Sequence, residues 1–142
     1  MGPGFRLGSK TAAVRLMNKG NRGQLLHAGL NENHKDYHYS LSHSGRVYNE
    51  SVNVSFQLCD SCNHGGGLIV VPGGHKANYL MPASMAFHGD VPLATVHPKT
   101  KPGDVIIFCG MGTVHGVVQW RSDHQRRIVI LSYLSHSMMG RL

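Results

Sequence analysis

Two residues toward the C-terminal end have types and spacing that could do chemistry. His115 lies in the strand-like string Thr113-Val114-His115-Gly116-Val117, and Arg126 follows across the polar stretch Arg121 to Gln125. A turn in that stretch predicts a hairpin, with His115 and Arg126 close along neighbouring strands and facing one cavity. A histidine can hold a metal through a ring nitrogen, and an arginine offers a planar fork that grips a carboxylate bidentately. The competing reading is a buried structural histidine and a solvated arginine. Arg127 should point to the opposite face from Arg126, because successive strand side chains alternate.

A second cluster, Cys59-Asp60-Ser61-Cys62 with His64, has the C-x-x-C spacing of zinc and redox sites. A structural zinc needs four ligands, and only Cys109 and scattered histidines are left to complete the set. A redox pair sits near a βαβ pattern, which is missing here. The plainer reading is a small apolar Cys59, an exposed Cys62 and a turn-forming Asp60. His34, His38, His43, His64, His88, His97, His124 and His136 show no ligand spacing. Trp120, the only tryptophan, is read as core.

The elements that must position these residues are short strands. Val52, Val54, Phe56 and Leu58 alternate with Asn53, Ser55 and Gln57, the period of a half-buried strand. Further strands are expected at 25–30, 37–42, 68–71, 104–109, 114–119 and 127–134. Residues 12–17 read as either a helical turn or a strand. Turns fall at Ser44-Gly45, Asn63 to Gly67 and Pro102-Gly103-Asp104. Residues 75–102 hold four prolines and no strong period, and are read as a long loop with a helical turn near 83–87. Short strands with turns between them suggest an all-β sandwich or jelly roll.

Two strings carry a family resemblance. Asn63 to Lys76, with Gly65-Gly66-Gly67-Leu68-Ile69-Val70-Val71-Pro72-Gly73-Gly74-His75-Lys76, resembles a segment of phytanoyl-CoA dioxygenase-like proteins. Pro102 to Phe108, His115-Gly116 and Arg126-Arg127 resemble that family's C-terminal half. The likeness runs from about Leu26 to Leu134 and departs at Gly74, where the family usually has serine. The resemblance implies a double-stranded β-helix, a jelly-roll or cupin-like fold, and an iron(II)- and 2-oxoglutarate-dependent oxygenase of the hydroxylase type. Its partners would be molecular oxygen and a small or lipid-like organic substrate, with ascorbate as an optional addition. The family holds iron on an H-x-D…H triad. His115 matches the distal histidine, His27 the proximal one, and Arg126 the residue that binds the far carboxylate of 2-oxoglutarate. His75 and Lys76 are expected to anchor their loop.

The triad departs from the family at its carboxylate. The triplet is His27-Ala28-Gly29, and Gly29 has no side chain. Residues i and i+2 of a strand face one side, so position 29 is where the acid would stand. Three readings follow: Glu32 or Asp36 completes the triad; the position is open to water or halide, as in iron halogenases; or the chain is a catalytically silent jelly-roll binding domain. Only 26 residues precede His27, fewer than the family's usual lead-in, so a fragment or a reduced domain truncated at its N-terminus is expected.

Composition bounds the rest. The 142 residues suit one domain, read as a basic, glycine-rich lead segment at 1–23, a jelly roll at 24–136 and a tail at 137–142. Lys plus Arg is 14 and Asp plus Glu is 7, giving a net charge of +7. Charged residues make up 15%, against roughly 25% in an average domain. The excess therefore comes from scarce acids. The bases are scattered rather than clustered on one element, which argues against a nucleic-acid binder. No apolar run reaches the length of a membrane span, and no secretory leader is read at the start. Three cysteines, an odd number, argue against a disulfide framework and for an intracellular, cytoplasmic setting. The ending Gly140-Arg141-Leu142 only loosely echoes a peroxisomal address. Oligomeric state is not legible.

Overall fold

The computed structural model describes residues 3–8, 13–27, 49–61, 65–76, 95–110 and 112–136. The strand expected at 37–42 and the helical turn expected near 83–87 lie outside these residues. Among the described residues eight strands are formed: β1 (Arg6–Leu7), β2 (Ala13–Met17), β3 (Gln24–His27), β4 (Ser51–Gln57), β5 (Gly67–Val70), β6 (Val105–Cys109), β7 (His115–Val118) and β8 (Arg126–Leu134). A 3-10 turn covers Gly74–Lys76. Among the described residues no helix is long and apolar enough to cross a membrane.

The strands make two antiparallel sheets. In the larger, β8 lies between β4 and the two lead-segment strands, β1 and β2, and β6 pairs the far side of β4. The smaller is β3-β7-β5. This is the all-β double-sheet arrangement of a jelly roll. Of residues 12–17, ambiguous from sequence, Ala13–Met17 form strand β2. The β-branched Val14 and its register against β8, with Val14 opposite Val129 and Met17 opposite Arg126, favour the extended form.

The two faces of the larger sheet are sorted in an unusual way. Ser51, Ser55 and Gln57 of β4 are buried, while Phe56 is exposed. Gln57 is satisfied locally, its Nε2 donating to the Ser55 carbonyl and hydroxyl. Asn53 accepts a hydrogen bond of 2.5 Å from Ser132 of β8, its register partner. The apolar set of β4 looks outward, beside Val105 and the 67%-exposed Ile107 of β6. On β8 the inward set is Arg126, Ile128, Ile130 and Ser132, which alternates with outward Arg127. The inner face thus mixes apolar and polar side chains, as the wall of a ligand cavity does.

One expectation is corrected here. β7 and β8 do not form a hairpin: they belong to opposite sheets. The connection from 119 to 125 is a corner, and fully buried Trp120 packs beneath it. The Trp120 indole N–H donates to the His124 carbonyl at 2.6 Å, and its backbone bonds the turn at Gly20 and Asn21. A buried anchor of this size lets the chain cross between sheets instead of folding back. His115 and Arg126 therefore face one cavity from opposite walls.

Candidate active site

A cavity of about 550 Å³ lies between the sheets, lined by His27, His115, Arg126 and inward residues of β2, β4 and β8. That size is typical of small-molecule sites.

His27 and His115 stand directly opposite each other on β3 and β7. The pairing requires an irregularity. Gln24 pairs with Val117 and His27 with His115, so three steps on β3 match two on β7. The extra residue is a β-bulge, a feature that re-aims a side chain. Without it, Leu26 would stand opposite His115 and His27 would turn to the other face. Gly116 makes room for the bulge: a Cβ there would stand 2.9 Å from the Gln24 carbonyl and 3.0 Å from the Leu26 nitrogen. The glycine after His115 is thus explained by close backbone approach.

The two imidazoles have ring centroids 4.2 Å apart. Each ring is fixed by a carbonyl. His27 Nδ1 lies 2.7 Å from the Leu25 oxygen, and His115 Nδ1 lies 2.7 Å from the Thr113 oxygen. A carbonyl can only accept, so Nδ1 carries a proton in both rings and Nε2 is the atom left to ligate. This is the outer hydrogen bond that metal-binding histidines ordinarily make. Phe108 packs edge-on against His115 at 4.8 Å. Burial, and then the neighbouring His27, push the pKa of His115 down to about 4. The ring is therefore neutral at physiological pH, the form a metal ligand requires.

Arg126 enters the cavity from β8 and is 5% exposed. Its guanidinium donates to Met17 Sδ at 3.6 Å, a weak acceptor. Among the described residues the single ion pair is Lys19 with Asp123, so no described carboxylate neutralises Arg126. Burial lowers its pKa without removing the charge. A buried cation without a partner is costly, and an anionic ligand would satisfy it. Gly67 shapes this corner: a Cβ there would lie 3.1 Å from Arg126 Nε and 3.5 Å from the Trp120 ring.

The donor chemistry, two imidazoles with Nε2 atoms left to ligate and a desolvated guanidinium on the same cavity, fits a divalent metal together with a carboxylate-bearing ligand. Among the described residues no group of three or more His, Cys, Asp or Glu forms a metal cluster. Gly29, Glu32 and Asp36 lie outside the described residues.

The other candidates fall elsewhere. Cys59 Sγ accepts from the Arg127 backbone N–H at 3.2 Å, and Cys62 and His64 lie outside the described residues. Arg127 is exposed and bonds Gln125. His124 packs on Trp120 and reaches the Asp60 carbonyl. His75 is in the 3-10 turn, outside the cavity wall. Gly74 beside it approaches Val114 closely, and a Cβ would meet the Val114 nitrogen at 3.1 Å. That contact favours glycine over serine at this position.

Sequence reasoning missed the polar and basic wall: Asn53, Ser55 and Ser132, with Arg15 and Arg22. The available signal was the alternation in β4, whose polar set faces inward.

A sequence profile of the phytanoyl-CoA dioxygenase (PhyH) family matches residues 16–128. Solved structures share the fold. HygX from Streptomyces hygroscopicus, with nickel and 2-oxoglutarate bound, is 18% identical with a TM-score of 0.73, covering 93% of this chain and 58% of that one. EvdO2 from Micromonospora carbonacea var. aurantiaca, complexed with 2-oxoglutarate, is 16% identical with a TM-score of 0.65, covering 92% and 52%. AviO1 from Streptomyces viridochromogenes Tue57 is 19% identical with a TM-score of 0.62, covering 94% and 52%. The chain spans little more than half the length of these proteins. No curated protein matches it.

Proposed function

The chain belongs to the phytanoyl-CoA dioxygenase (PhyH) family, and from that premise we propose that it is an iron(II)- and 2-oxoglutarate-dependent oxygenase of the hydroxylase type, acting on a small or lipid-like organic substrate. The observation that carries the reading is the placement of His27 and His115 on one wall of a cavity whose opposite wall presents Arg126.

In this reading the Nε2 atoms of His27 and His115 hold the metal, oriented by the Leu25 and Thr113 carbonyls. The bound metal would supply oxygen activation coupled to decarboxylation of 2-oxoglutarate. Arg126 takes the far carboxylate of the cosubstrate as a bidentate pair, and desolvation strengthens that contact. Gly67 lies against the Arg126 side chain, where a Cβ would stand 3.1 Å from Nε. Phe108 excludes water from one side of His115.

Anaerobic titration tests the proposal. Iron(II) followed by 2-oxoglutarate should produce the weak visible charge-transfer band of their complex, with one iron per chain. His115→Ala should lose the iron, and Arg126→Ala should lose 2-oxoglutarate binding while keeping the fold. A chain that binds neither ligand would overturn the reading. A second reading, a silent binding domain that takes an organic acid on Arg126, is favoured by Gly29 in the carboxylate position. It predicts 2-oxoglutarate binding without oxygen-dependent succinate release.

A further inference from the structure

We propose that Arg15 and Arg22 form a subsite for an anionic group of the substrate, a carboxylate or a phosphate ester, at the solvent side of the cavity. The inference rests on the oxygenase reading of that cavity and specifies its substrate class.

Strand β2 carries the first argument. Met17 pairs with Arg126 and Arg15 with Ile128, so Arg15 shares the inward face with Met17. Val14 and Leu16, at the alternate positions, are also exposed. Arg15 is exposed, so its charge stays hydrated while its side chain lines the solvent side of the cavity. A hydrated guanidinium on the cavity wall can take an anionic group without the cost of a buried unpaired charge. Among the described residues Arg15 has no ion pair and no hydrogen bond from its guanidinium.

Arg22 lies on the turn between β2 and β3, and that turn is tied down. Gly20 N–H donates to the Trp120 carbonyl at 2.8 Å, and Asn18 N–H donates to the Asn21 side chain at 2.6 Å. Gln119 Nε2 adds a bond to the Gly20 carbonyl at 3.1 Å. Gly23 presses against Val117 so closely that any Cβ there would run into the Val117 carbonyl. Arg22 is thus displayed from a fixed backbone. The nearby Lys19 is neutralised by Asp123, whereas Arg22 meets no carboxylate among the described residues.

Charge completes the case. The described cavity wall holds Arg15, Arg22 and Arg126, with no Asp or Glu. Arg126 is buried at the deep end and Arg15 and Arg22 are exposed. Arg15 is two residues along β2 from Met17, which is roughly 7 Å of strand. The two outer guanidiniums are therefore offset from the deep one and suit a second anionic group. An exposed basic rim also concentrates anions at the entrance.

Calorimetry on the protein loaded with nickel(II) and 2-oxoglutarate tests this, with phenyl phosphate, benzoate and neutral benzyl alcohol as probes. At least one anion should bind ten or more times tighter than the alcohol and weaken as salt is raised. The tighter of the two identifies the group. The double variant R15Q/R22Q should bind that anion at least tenfold more weakly, with its affinities for benzyl alcohol and 2-oxoglutarate within twofold of the parent. Equal binding of anion and alcohol, or an unchanged anion affinity in the double variant, would overturn the proposal. So would a parallel loss of 2-oxoglutarate, which would assign these arginines to the cosubstrate. Anion binding that depends on Arg15 and Arg22, in a protein that binds no 2-oxoglutarate, would defeat the oxygenase reading and leave the subsite standing.

Discussion

Gly67 lies against the side chain of Arg126, so close that a Cβ at position 67 would stand 3.1 Å from Nε. The residue also has φ +95°, a conformation that side-chain-bearing residues rarely adopt. Gly67→Ala should therefore act twice. The backbone term costs about 1–2 kcal/mol, and the methyl would stand 3.1 Å from Arg126 Nε and 3.5 Å from the Trp120 ring, so the guanidinium must shift. The expected outcome is a lower urea midpoint and 2-oxoglutarate binding weakened about tenfold or more by calorimetry. Normal affinity in a destabilised protein would separate the glycine's backbone role from any role in placing Arg126.

Much of this architecture is legible in the sequence, and the gaps have physical causes. The strands at 51–57, 105–109 and 126–134 follow from alternation and turn chemistry. Alternation does not say which face looks inward. Asn53 and Ser55 look outward on hydropathy, and they face the cavity because a ligand site needs polar groups and Ser132 supplies a partner. The bulge at Gln24–His27 leaves no local mark on β3. Its trace is Gly116 on the opposite strand. The step from β7 to β8 reads as a hairpin by length and is a corner, because Trp120 is buried beneath it. Type, spacing and family pattern single out His115, Arg126 and His27, and the three line one cavity although the connection between β7 and β8 is a corner.

The inverted faces can be measured. Ile107 is 67% exposed on the outer face, whereas Ile128, on the inner face, is 5% exposed. Ile107→Lys should change stability by less than about 0.5 kcal/mol, as exposed substitutions do. Ile128→Ala should cost about 2–5 kcal/mol through lost burial and a cavity. Urea denaturation of both variants is the check. A large loss at Ile107 would mean that the outer face is covered.

The depressed pKa of His115 makes stability depend on pH. Its value falls from 6.5 in the unfolded chain to about 4 in the folded one, through burial and the neighbouring His27. Between these values the unfolded state binds the extra proton, so stability rises with pH there. The contribution is fully present above pH ~6.5 and is lost as pH falls toward ~4. Its full size is on the order of 3 kcal/mol. Denaturation at pH 7, 5.5 and 4.5 should show a decline that His115→Gln lacks over the same window. Parallel curves for the two proteins would mean that His115 titrates normally in the folded chain.

The final prediction concerns Gly29. The bulge turns His27 toward His115, and a strand continuing from His27 would put position 29 on the same side. A carboxylate there would add a charged oxygen ligand to two neutral nitrogens, the 2-His-1-carboxylate set suited to iron(II). Gly29→Asp should therefore bind iron(II) at least tenfold more tightly in the presence of 2-oxoglutarate. Chloride should perturb the iron spectrum of the parent, in which Gly29 supplies no ligand, and leave that of the variant unchanged. Increased succinate release would follow if the added oxygen also fixes the geometry for turnover. The measurements are anaerobic iron titrations of both proteins with and without chloride. Equal affinity and equal chloride response would mean that the third position is already filled. Glu32→Gln and Asp36→Asn then identify which acid fills it, because only the variant lacking the true ligand should lose iron affinity.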